Sequence, residues 1–412
     1  MVEDTSSKII GTVFKLARFA VPQLLTAVFS LYAISILSKS FGGKTLLAYG
    51  LGQSYGTFVA LFMGWGWTTI GPALVAPAEQ NKRYSYLWTF LKMTFILGAI
   101  LTPIVSVLVV WSAPDGDRDV ALVSFLASVV TAFMPSWWFV ATNRPSYILF
   151  YDVLPRALST LISIILMKHG GSAYLFPLSN MICCILGASI FYWQKKPWNY
   201  KGPEKVLDTF KSQFHPFMIS AGAMLYARLM LPVVNFINPV AAVSFTQGLQ
   251  LYNYWTMSTA ITGSSFQNWV NRGGKKTLES SLKFTTSWFF LHGIVFGGLL
   301  GILGPFVSNV IFGGLQGNTK VSYFLLGLTF FFVAMGTALV TLYLTPLGYS
   351  HLSSKITIFS GILGLLLLLV LTTAFGVNGS YVALCITEFN INFLALIVIV
   401  LHRKGKLKTS GV

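Results

Sequence analysis

Apolar residues run in blocks of about twenty, separated by short polar segments, from one end of the chain to the other. Coiled as an α-helix, such a block matches the roughly 30 Å hydrocarbon core of a bilayer. Twelve spans are legible, at 16–37, 46–70, 86–111, 120–142, 146–167, 172–193, 213–236, 240–266, 282–311, 321–345, 356–376 and 380–401. The pattern predicts an all-α polytopic membrane protein. Alternate connections (SFGGKT, APDGDRD, HGGSAY, GGLQGNTK and GVNGS) are rich in turn formers and too short for a receptor or enzymatic domain. Pro22, Pro72, Pro103, Pro135, Pro155 and Pro232 fall inside spans and predict kinks that packed neighbours or a cavity must accommodate.

The longest hydrophilic interruption, QKKPWNYKGPEK at 194–205, follows the sixth span. It divides the chain into an N-terminal six-helix lobe (1–197), a cytoplasmic linker (198–207) and a C-terminal six-helix lobe (208–412). The halves echo each other. Gln53 and Tyr55 in GLGQSYGTFVALF align with Gln250 and Tyr252 in TQGLQLYNYWTM at a single offset of 197. An even number of spans per half makes the copies parallel, a transporter plan in which the substrate path runs between them around a central cavity.

Composition supports the membrane reading: 55% of residues are hydrophobic, 9% are charged and mean hydropathy is +0.71, whereas a soluble chain carries about a quarter of its residues as charges. The net charge of +17 raises nucleic acid as a partner, and the placement of the basic residues argues against it. With the N-terminus in the cytoplasm, 21 of the 28 Lys and Arg fall in cytoplasmic segments, five on the other face, and Arg156 and Arg228 inside spans. That bias puts both termini in the cytoplasm and makes the excess charge a topology signal, with attraction to anionic membrane lipids added. MVEDTSSK precedes the first span without a cleavage pattern, so that span is expected to be retained.

Catalysis finds no purchase. HExxH, P-loop and GxSxG patterns are missing, and the five His are scattered. Cys183, Cys184 and Cys385 lack metal-type spacing and suit small packing residues. No enzyme, cofactor or metal is expected, and no loop could hold the nucleotide domain of an ATP-driven pump.

What remains is a short roster of polar groups inside the spans, where an ionised residue costs roughly 2.5–3.5 kcal/mol by insertion measurements and is a functional-site hypothesis by default. Asp152 and Arg156 are four apart, hence on one helical face, with Arg156 about 18 Å from Arg144 and near mid-bilayer. They read either as an intrahelical pair loosened by Pro155 or as a cavity-lining Arg with Asp152 as partner. Arg228 and Glu388 both lie about 12 Å below the outer surface, and either lock together or face a water-filled vestibule separately. A carboxylate locked to an Arg would suit proton coupling poorly. Gln53, Ser54, Tyr55, Asn143, Asn180, Gln247, Gln250, Tyr252, Asn253, Asn390 and Asn392 supply the other polar groups, as interhelical hydrogen bonds or cavity lining. Trp137 and Trp138 suit an interfacial belt or sugar stacking.

Three stretches carry a family resemblance: SILSKSFGGKTLLAYGLGQSYGTFVALFMGWG (35–66), MPSWWFVATNRPSYILFYDVLPRALSTLISIILMKHG (134–170) and MLYARLMLP (224–232). Together they resemble the Wzx-type polysaccharide flippases of the multidrug/oligosaccharidyl-lipid/polysaccharide (MOP) exporter superfamily. The second stretch is the most specific, with Pro-Ser-Trp, Tyr147 and Arg156 in order and spacing. The resemblance implies a flippase in a bacterial cytoplasmic membrane that moves an undecaprenyl-pyrophosphate-linked oligosaccharide outward for surface polysaccharide assembly, with polymerase and chain-length machinery as partners. It also implies that Arg156 and Arg228 face a cationic cavity, with Asp152, Glu388, Gln53, Gln250 and Asn253 around it. Leu229 and Met230 stand where the family has an Asp, and Ala141 and Thr142 where it has Gln and Gly. A multidrug or cation antiporter of the same superfamily is the alternative, disfavoured by the lack of Asp and Glu in spans one, seven and eight. Lipid II flippases of the superfamily usually have two more spans than the twelve read here.

Overall fold

A computed structural model describes residues 27–142, 144–200, 206–272, 275–314 and 317–405. The N-terminal expectation for residues 1–26, Asn143 and residues 201–205 of the linker lie outside the described residues. The first half comprises α1 (Ala27–Phe41), α2 (Gly43–Gly64), α3 (Trp67–Val75), α4 (Gln80–Ser112), α5 (Arg118–Val130), α6 (Ser136–Ala141), α7 (Pro145–Ile148), α8 (Leu154–Lys168) and α9 (Leu175–Lys195). The second half comprises α10 (Val206–Ser212), α11 (Phe214–Ile237), α12 (Pro239–Arg272), α13 (Lys275–Phe312), α14 (Lys320–Gly336) and α15 (Ser350–Arg403).

Eight helical stretches are long and apolar enough to cross a membrane, the unbroken α15 counted once. α15 is in fact a hairpin. Gly376 sits at φ 58°, ψ −137°, outside helical space, and contacts pair off symmetrically around it: Thr372 with Ser380, and Ser360 with Asn390. Spans eleven and twelve are therefore joined by one glycine where the sequence suggested the loop GVNGS. With α1, α11 and α12 added, the fold is the expected twelve-helix bundle in two six-helix lobes around a central cavity.

Small residues set the close approaches, as expected where lipid gives helices no hydrophobic reason to associate. Gly52 and Gly56 lie one turn apart on α2, and a Cβ on either would strike the backbone of α5 at Ala121 or Phe125. Pro155 cannot donate to the preceding turn, and the backbone just before it, Leu149–Val153, widens into a π-helical turn that contains Asp152. A second π-helical stretch, Thr337–Leu344, continues α14.

Both lobe ends carry contacts between the halves. At the end where α2 and α12 begin, side chains of one lobe bond backbone of the other: Ser35 Oγ to Ile311 O (2.6 Å), Ser38 Oγ to Phe312 O (3.4 Å) and Asn235 Nδ2 to Ser112 O (2.9 Å). At the opposite end Trp65 stacks on Phe210 and Phe217 and donates its indole N–H to Phe210 O (3.0 Å), tying α2 to α10 and α11.

Trp137 and Trp138 are neither a belt nor a sugar platform. They are 4% and 3% exposed, because Pro135 and the short α6 turn them inward onto Trp67, Phe90 and Phe191.

Candidate functional site

The second helices of the two lobes, α2 and α12, meet at mid-depth. Gln250 Nε2 donates to Gln53 Oε1 at 3.2 Å, across 197 residues of sequence. These are the glutamines that the internal repeat aligns. Equivalent residues of a two-fold pair touch each other only near the axis, so this contact is the geometry a parallel repeat requires. Gly50, one turn earlier, allows it: any side chain there would run into Thr246 and Leu231.

Beside the amide pair lies a cavity of about 220 Å³ between α2, α11, α12, α14 and the second arm of α15. Five of the seven predicted site residues line it: Gln53, Arg228, Gln250, Asn253 and Glu388. Ser54, Thr246 and Thr256 add hydroxyls, and Leu231, Leu249, Val333 and Leu384 form the apolar wall. Counting from the helix ends at Gly43, Ile237, Pro239 and Gly376, Gln53, Arg228, Gln250 and Glu388 lie roughly 14–18 Å from the end where α2 and α12 begin, at 1.5 Å per residue. That is the middle of a 30 Å core. Glu388 is deeper than the sequence suggested, because the hairpin turn falls at Gly376 rather than after it.

Arg228 and Glu388 do not lock together: among the described residues neither belongs to an ion pair. Glu388 Oε1 instead accepts from Tyr226 Oη. Asn392 holds the helix around Glu388 by donating to Glu388 O (2.7 Å) and to Phe332 O (2.8 Å) on α14. Arg228 shares the cavity with this capped carboxylate, and its guanidinium has no anionic partner among the described residues.

Asp152 and Arg156 do pair, with Nε and Oδ1 2.7 Å apart and side chains 20% and 31% exposed. They do not line the 220 Å³ cavity. Their place is within the N-terminal lobe, where α8 packs on α9, and the carbonyl of Arg156 accepts from Ser159 and Thr160 at 2.8 Å each. The remaining in-span amides divide as follows. Asn390 donates to Ser360 Oγ at 3.0 Å as an interhelical tie, and Asn180 accepts weakly from Cys184 at 3.4 Å. Cys184 and Cys385 are buried and all three cysteines are free. Among the described residues no His/Cys/Asp/Glu cluster could hold a metal.

Sequence reasoning missed Tyr226, the phenol that caps Glu388. Its signal was present: it stands two residues before Arg228 inside MLYARLMLP.

No protein-family model and no curated protein sequence matches the chain. Solved structures do. An inward-facing multidrug-resistance MATE-family transporter of the MOP superfamily superposes with a TM-score of 0.77 at 14% identity, over 96% of this chain and 99% of that one. The lipid II flippase MurJ in an inward closed conformation gives a TM-score of 0.70 at 13% identity, over 93% and 87%. An outward-facing MATE-family transporter gives only 0.55 at 13% identity, over 96% and 94%. The chain thus has the fold of the MOP-superfamily membrane transporters and flippases.

Proposed function

We propose that this protein is a flippase that carries an undecaprenyl-pyrophosphate-linked oligosaccharide from the inner to the outer leaflet of a bacterial cytoplasmic membrane, for surface polysaccharide assembly. The observation that carries the reading is Arg228, a guanidinium at mid-depth between the lobes with no anionic partner among the described residues. A planar guanidinium binds phosphate through two parallel hydrogen bonds, so the headgroup that loses water on entering the bilayer finds a replacement there. A cavity of about 220 Å³ is smaller than the roughly 300–1,000 Å³ of a drug-sized site. It suits the charged pyrophosphate. Arg156, held by Asp152 at about 18 Å from the Lys168 end of α8, lies outside this cavity within the N-terminal lobe. The end where α2 and α12 begin is assigned to the outer face, both termini to the cytoplasm, and transport to ion-coupled alternating access. Polymerase and chain-length proteins are the downstream partners.

A multidrug or cation antiporter is the second reading, and Glu388 favours it. A carboxylate in the central cavity, capped by Tyr226, supplies the acidic group that spans one, seven and eight lack. A deletion strain separates the two. Flippase function predicts lipid-linked repeat units trapped in the inner leaflet and loss of surface glycan; normal glycan with new drug sensitivity would transfer the assignment to antiport.

A further inference from the structure

At the lobe end where α7 begins and α9 ends, Arg144 and Lys195 converge on one phenol. Arg144 Nη1 donates to Tyr147 Oη at 2.7 Å and Lys195 Nζ donates to the same oxygen at 3.2 Å. Both cations also lie close to the ring, at 5.3 and 4.9 Å from its centroid. Among the described residues neither has a carboxylate partner. A phenol that accepts twice keeps its own O–H as a donor, so guanidinium, ammonium and phenol form an array of donors that contains no anion. The array is held in place: Tyr147 packs edge-on against Phe139 and Tyr151, and Tyr151 Oη donates to Gln194 Oε1 at 2.5 Å.

Its surroundings say what covers it. Phe150 and Trp193 are 60% and 72% exposed on the adjoining turns, and Trp198 and Lys196 are exposed just beyond. Exposed rings bordered by cations mark the level where acyl chains give way to headgroups. Two convergent like charges attract a counter-anion there, and a phosphate offers oxygens to all three donors at once.

We propose that Arg144, Lys195 and Tyr147 form a binding site for the phosphate of an anionic phospholipid at the membrane surface. The site is separate from the Arg228 cavity and stands whether the chain is a flippase or an antiporter.

The test is native mass spectrometry of the purified full chain with equal amounts of phosphatidylglycerol and phosphatidylcholine. Wild-type protein retains phosphatidylglycerol in preference, and Arg144→Gln with Lys195→Gln lowers that preference roughly tenfold or more. Arg144→Lys keeps most of the preference and Tyr147→Phe weakens it. Lys168→Gln, which removes a single cation lying over Tyr32 at the other end of α8, leaves it intact. The Arg144→Lys and Tyr147→Phe variants keep the proposal testable should the double variant fail to insert. Equal retention of the two lipids by wild type, or an unchanged preference in the double variant, overturns the site. Displacement of the lipid by millimolar inorganic phosphate overturns its assignment to a lipid headgroup.

Discussion

Asp152→Asn strands Arg156. The pair sits at mid-depth with 20% and 31% of its side chains exposed, so its energetics fall between two limits. Breaking a fully buried pair costs about 3–5 kcal/mol because one charge is left uncompensated, whereas an exposed pair contributes about 0–1 kcal/mol. Discounted for that exposure, each single variant, Asp152→Asn or Arg156→Gln, is expected to lose about 1–3 kcal/mol. The double variant replaces both charges by neutral amides and removes the stranded ion. It should therefore be more stable than the sum of the singles by about 1–3 kcal/mol, which is the coupling a double-mutant cycle isolates. The assay is unfolding in mixed micelles titrated with a denaturing detergent, followed by tryptophan fluorescence. Single-variant effects that add to within about 0.5 kcal/mol would refute the reasoning, since residues in contact at 2.7 Å would then behave as strangers.

Other outcomes follow from separate parts of the fold. Gly376→Ala should cost about 1–3 kcal/mol in the same titration, for strain alone, because a Cβ at that position meets nothing within 4 Å. Gly52→Leu should block folding or insertion outright, since α5 backbone occupies the space; normal yield would contradict the tight α2–α5 contact. Ser35→Ala combined with Asn235→Ala removes two of the hydrogen bonds between the lobes at the end where α2 and α12 begin, at about 0.5–1.5 kcal/mol each. That should raise the outward-open fraction by roughly five- to a hundredfold, read as faster labelling of Asn253→Cys by an impermeant thiol reagent from outside, in a background lacking the native cysteines. Gln53→Cys paired with Gln250→Cys should be captured by a short bismaleimide and stop transport in the captured fraction, because the two positions meet across the lobes.

Much of the bundle could be read from apolar block length, because a bilayer demands about twenty residues per span and leaves backbone groups no partner but their own helix. The hairpin at Gly376 was harder to see: GVNGS reads as a loop by composition, and only backbone geometry shows that one glycine turns the chain. Periodicity found the Asp152–Arg156 pair, since four residues define one helical face, but helix spacing says nothing about which neighbour that face meets, so its distance from the central cavity was illegible. The gathering of Gln53, Arg228, Gln250, Asn253 and Glu388 rests on contacts between helices far apart in sequence. The offset of 197 shared by the two glutamines hinted at it, and their hydrogen bond is where that hint becomes physical. Trp137 and Trp138 misled because tryptophan at a span end usually lies at the interface, whereas here the kink at Pro135 redirects both rings into the core.

On the proposed reading the Arg228 guanidinium, which has no anionic partner among the described residues, receives the phosphate of a lipid-linked glycan. The most direct measurement reconstitutes the protein in vesicles with a fluorescent polyprenyl-pyrophosphate glycan and follows its protection from an impermeant quencher. Arg228→Ala should slow transbilayer movement by about 10–100-fold, the equivalent of the 1.5–3 kcal/mol of a charge-assisted hydrogen bond, and Arg228→Lys should restore part of the rate. Movement at the wild-type rate by a correctly inserted Arg228→Ala protein would contradict the account.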